Sequence, residues 1–88
     1  MTQIKMYGTT TCKDCVIAKE VFKELKTDYE FINMDNDQEA TDKAIELNNG
    51  VRRIPVILFP DDSILVEPTA EELRDKMASY QLKFVLFN

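Results

Sequence analysis

A chain of 88 residues has room for one domain, 1–88, and one hydrophobic core, burying about 60 to 65 per cent of its unfolded surface. With 44% apolar and 31% charged residues, two glycines and three prolines, the composition is that of a globular protein and excludes the disordered, collagen-like and membrane-embedded classes. A formal charge of -5 gives nucleic-acid phosphate no electrostatic reason to bind, and the lack of histidine removes the usual neutral-pH acid-base group and the commonest metal ligand. No stretch approaches the ~20 apolar residues that span a bilayer, and the N-terminus reads as a strand rather than a targeting segment. The protein is therefore expected to be cytoplasmic and monomeric, with neither membrane nor nucleic acid among its partners and no bound metal.

The elements alternate. Gln3 to Tyr7 alternates polar and apolar residues and stops at Gly8, as a short strand does. From Cys12 to Lys26, Val16, Ile17, Val21, Phe22 and Leu25 recur at helical spacing, with Lys19, Glu20, Lys23, Glu24 and Lys26 on the remaining face. Tyr29 to Met34 reads as a second strand. Asn36 followed by Glu39 resembles a capping box opening a helix through Leu47, closed by Asn48-Asn49-Gly50. Ile54 to Phe59 is nearly all apolar, as a central strand covered on both faces would be, and Pro60 to Ser63 turns the chain into Ile64-Leu65-Val66. Thr69 with Glu72 forms a second capping box, starting a helix through about Met77 that buries Leu73 and Met77. Residues 79–88 receive no assignment from their pattern. The order β-α-β-α-β-β-α places the fold in the α/β class, with a four-stranded mixed sheet and helices on both faces.

Cys12-Lys13-Asp14-Cys15 has the C-x-x-C spacing beside a β-α-β pattern, a context that points to redox chemistry. A structural disulfide is the plainer reading, but stabilisation by a crosslink grows with the loop it closes, and this loop is four residues long. Half of a zinc site is another, although two thiolates without histidine leave a monomer short of four ligands. Unpaired N–H groups and the positive end of the helix dipole favour an anion at the first helical turn, so Cys12 is the expected nucleophile and Cys15 the resolving thiol. Lys13 either supports the Cys12 thiolate or is a plain solvated lysine. Asp14 either favours the helix N-terminus or tunes a neighbouring thiol.

The chain resembles the glutaredoxins, and among them the short mycoredoxin-like bacterial proteins. The resemblance rests on Met6 to Cys12, Leu47 to Gly50, Arg52-Arg53-Ile54-Pro55-Val56 and Phe59 to Pro68, and covers roughly residues 4 to 77. It implies a thioredoxin-like fold, a cis Pro55 facing the cysteine pair, and an Ile54 backbone that pairs with an incoming peptide or thiol. It also implies that Arg52 binds an anionic thiol and that Tyr7 borders the active-site groove. No bound cofactor is implied. A small thiol such as glutathione or mycothiol is the expected co-substrate, thiolated or disulfide-containing proteins are the expected partners, and a flavoprotein reductase would return electrons. The chain departs from the common pattern in three places. Lys13-Asp14 stands where many relatives have Pro-Tyr, Arg53 where threonine is common, and Asp61-Asp62-Ser63 replaces a glycine-containing turn. Two other functions fit the same cysteines: a metal or iron-sulfur cluster shared between subunits, and a redox sensor whose disulfide state selects a partner. Cluster-bridging relatives usually carry one active-site cysteine, so Cys15 argues against the former.

Overall fold

A computed structural model describes residues 3–86, with side chains described over 3–79. Its elements are β1 (Lys5–Gly8), α1 (Lys13–Glu24), β2 (Glu30–Asn33), α2 (Gln38–Leu47), β3 (Val56–Leu58), β4 (Ile64–Val66) and α3 (Ala70–Leu86). The strands form one sheet in the order β2-β1-β3-β4. β1 runs parallel to β2 and antiparallel to β3, which pairs antiparallel with β4. The order of elements along the chain and the mixed four-stranded sheet are those the sequence predicts, and the central position of β3 accounts for its apolar run.

Alternation along β1 and β3 divides the core into two layers. Ile4, Met6 and Ile57 face α1 and α3, where they meet Ala18, Val21, Phe22, Leu73 and Met77. Tyr7 and Val56 face the other way, onto Ala40 and Ala44 of α2 and onto Met34. Leu73 and Met77 are buried as predicted.

The helix termini are settled by local hydrogen bonds. α1 and α2 both end in a Schellman arrangement. In the first, Lys26 takes a left-handed φ of 52° while the Thr27 N–H donates to the Phe22 carbonyl at 2.9 Å. In the second, Asn49 takes a φ of 56° and the Gly50 N–H donates to the Ile45 carbonyl at 2.8 Å. The capping box of α3 is complete: Thr69 Oγ1 accepts from the Glu72 N–H at 3.1 Å, and Glu72 Oε1 accepts from the Thr69 N–H at 2.8 Å.

Three expectations are corrected. The N-cap of α2 is Asp37, whose carboxylate accepts from the Ala40 N–H at 3.0 Å, and not Asn36, which sits in the left-handed region at φ 56°. The last helix continues past Met77, so the unassigned tail is helical through Leu86, and residues 87 and 88 lie outside the described residues. Val16 and Ile17 are 48% and 38% exposed, because the buried stripe of α1 is Cys15, Ala18, Val21 and Phe22. Cys15, the first residue of that stripe, lies against Gly8 of β1.

Candidate active site

β1 ends at Gly8, and the loop Thr9–Thr11 carries the chain to Cys12 at the N-cap of α1. Two bonds to Asp35 hold this loop: the Thr10 hydroxyl donates to Asp35 Oδ2 at 2.5 Å and the Thr10 N–H donates to the same oxygen at 3.3 Å. The Asp35 N–H donates in turn to Asn33 Oδ1 at 2.8 Å. β1 and β2 are parallel, so the loops that follow them leave the sheet at the same edge and meet there. The sequence held no motif for this clamp. Only the parallel pairing of the two strands could have suggested it.

Cys12 has extended backbone angles, φ −84° and ψ 120°, and its sulfur accepts from the Cys15 N–H at 3.2 Å. A thiolate at this position takes the place of the oxygen that normally caps a helix, bonding to an N–H that would otherwise be unpaired. Both thiols are free, Cys12 half-buried and Cys15 wholly buried. Burial pushes the Cys15 thiol up to about 12, and the neighbouring Cys12 adds to the rise through hydrogen bonding and charge. The Thr9 backbone and the charge of Lys19 oppose it. Cys15 is therefore held as a neutral thiol behind Cys12 at neutral pH.

Cys12 opens into a cavity of ≈ 540 Å³. The basic residues Arg52 and Arg53, the acidic residues Asp14, Asp35 and Glu67, and the apolar Ile54 line it. The Ile54–Pro55 peptide is cis, as the resemblance implied, and Pro55 is buried. The Pro55 carbonyl accepts from the Glu67 N–H at 3.0 Å, which places Glu67, at φ 45°, on the cavity rim.

The structure thus brings Cys12, Arg52 and Ile54 to one cavity, with Cys15 and Pro55 buried beside them. Lys13 is exposed and does not line it. Tyr7 does not border it either: β1 alternation turns its ring to the α2 side of the sheet, where it is 5% exposed and packs with Met34, Ala40 and Val56. Asp35, Arg53 and Glu67 are lining residues that sequence reasoning did not select.

Known proteins give the same picture. The family model described as Glutaredoxin matches residues 4–64. Mycoredoxin 1 of Corynebacterium glutamicum is 28% identical over 78 residues, covering 88% of this chain and 95% of the relative. A Mycobacterium tuberculosis protein named as a glutaredoxin is 26% identical over 74 residues, covering 84% of this chain and 88% of the relative. Among solved structures, a glutaredoxin from Archaeoglobus fulgidus superposes with a TM-score of 0.71 at 26% identity, covering 85% of each chain. The chain belongs to the glutaredoxin family of thiol-disulfide oxidoreductases, with a thioredoxin-like fold.

Proposed function

We propose that the protein reduces protein disulfides or small-thiol mixed disulfides through Cys12, with Cys15 as the resolving thiol. The observation that carries this reading is the pairing of a half-buried Cys12 sulfur, bonded to a helix N-terminal N–H and open to the cavity, with a buried Cys15 one turn behind it. The Cys12 thiolate attacks one sulfur of the substrate disulfide. A Cys12–S bond forms, the S–S bond breaks, and the departing thiolate takes a proton from solvent. Cys15 then loses its proton and attacks Cys12 Sγ, releasing the reduced substrate and closing a Cys12–Cys15 disulfide. Two equivalents of a small thiol, or a flavoprotein reductase, return the two electrons.

The backbone of Ile54 beside Pro55 would align an extended peptide or thiol across the cavity, and Arg52 would meet an anionic group on it. Opposing carboxylates at Asp14, Asp35 and Glu67 favour a thiol of mixed or low net charge over a purely anionic one. Glutathione, which also carries an amino group, and mycothiol both satisfy that condition. Chemistry that depends on a free thiol pair suits the reducing cytoplasm.

The test is turnover of a glutathionylated peptide, recycled by glutathione and its reductase in one arm and by thioredoxin reductase in the other. Turnover in the glutathione arm is expected to fall by about 10³-fold or more with Cys12→Ser and to survive Cys15→Ser. Equal activity of Cys12→Ser and the native protein would overturn the assignment of the nucleophile.

A further inference from the structure

Cys15 must become an anion to attack, yet it sits fully buried against the sheet. A β-carbon at Gly8 would clash with Cys15 Sγ and lie 3.3 Å from Phe31 Cε1, so the thiol and the edge of the Phe31 ring crowd the same point on β1. Over the face of that ring the ammonium of Lys19 stands 3.7 Å from its centroid. Lys19 is four residues after Cys15 on α1, one turn along the same helix face. Among the described residues no carboxylate pairs with this ammonium. A cation attracted to an aromatic face is held near that ring, and so near the thiol that crowds the ring's edge.

We propose that Lys19 is a positioning residue for the resolving step, its ammonium fixed over Phe31 to stabilise the Cys15 thiolate as it attacks Cys12. The inference rests on the dithiol reading above. Lys19 does not take the proton, since it already carries one. The Cys15 proton leaves to solvent base, and the positive charge offsets the cost of a thiolate in a buried place. The charged and titratable groups acting on Cys15 are Cys12, at the N-cap of α1, and Lys19, within it, alongside the Thr9 backbone. From β1 and β2, Gly8 and the uncharged Phe31 ring crowd the space beside it.

The test is the reaction of reduced protein with one equivalent of an aromatic disulfide whose thiolate is coloured. Cys12 releases the first thiolate in a concentration-dependent phase, and attack by Cys15 on the Cys12 adduct releases the second in a phase independent of concentration. Lys19→Met is expected to displace the rate-against-pH curve of the second phase to higher pH and to leave the first phase unchanged. Each unit of displacement cuts the thiolate fraction about tenfold and raises its nucleophilicity about threefold, so the second phase slows about threefold below the midpoint. Lys19→Arg restores the native curve. A Lys19→Met curve that coincides with the native one overturns the role of Lys19 alone. A native protein that releases only one coloured thiolate per reagent overturns the dithiol reading, and this inference with it.

Discussion

Gly8 is where the fold and the chemistry constrain each other most closely. Its missing side chain lets α1 approach β1 until Cys15 Sγ fills the space a β-carbon would take, with Phe31 Cε1 closing the other side. Neither neighbour can easily give way, since Cys15 is wholly buried and the Phe31 ring carries the Lys19 ammonium over its face. Gly8→Ala is therefore expected to destabilise the reduced protein by about 1–3 kcal/mol, the range of an overpacked core site, measured as a lower urea midpoint with unchanged slope. It should also slow formation of the Cys12–Cys15 disulfide by displacing the resolving sulfur. An unchanged midpoint would mean that α1 can lift from the sheet without loss. The sequence marked Gly8 only as the end of a strand, because the contact that requires it comes from a helix seven residues later. In the same way, the apolarity of Val16 and Ile17 points to the buried face, whereas the close approach at Gly8 turns the smaller Cys15 inward and leaves those two exposed.

What the sequence reveals about an element depends on how local its determinants are. The Thr69–Glu72 box is legible because both of its hydrogen bonds lie within four consecutive residues, and both are present. Asn36 misled because Asn and Asp at neighbouring positions offer equivalent capping chemistry. The choice of Asp37 depends on Asn36 making a left-handed turn out of the loop after β2. Tyr7 misled for a related reason: its distance along the chain from Cys12 is short, but strand alternation decides which face of the sheet it joins. The end of α3 was obscured by the absence of a stop signal, with neither glycine nor proline after Pro68. Thr69→Ala leaves the α3 N-terminus without its side-chain acceptor and is expected to cost about 1 kcal/mol, read from urea unfolding. Activity should be retained, because the cysteine pair stands on α1 and Thr69 lies outside the cavity wall. A loss of turnover at unchanged stability would instead tie the start of α3 to the substrate.

At the scale of the molecule, charge acts over two ranges with different consequences. The chain carries a net -5, while the wall around Cys12 mixes two guanidinium groups, Arg52 and Arg53, with the carboxylates of Asp14, Asp35 and Glu67. At about 0.01 M salt the screening length is ~30 Å, longer than the 12.8 Å radius of gyration, so an approaching substrate feels the whole negative charge. At about 1 M salt it shrinks to ~3 Å, and only groups in contact with the substrate count. A basic thiolated peptide should thus react faster at low salt, its kcat/KM falling about tenfold across that range, while an acidic peptide of the same length should speed up. The maximal rate with each peptide should change little, because the bond between Cys12 Sγ and the Cys15 N–H lies inside the site and is not formed by the approach. Stopped-flow measurement with the two peptides at matched concentrations separates these effects. A reversed response, with the acidic peptide slowing and the basic one speeding up as salt rises, would show that association is governed by the local arginines rather than by the charge of the whole domain, and Arg52→Ala should then reduce the rate for the acidic peptide first.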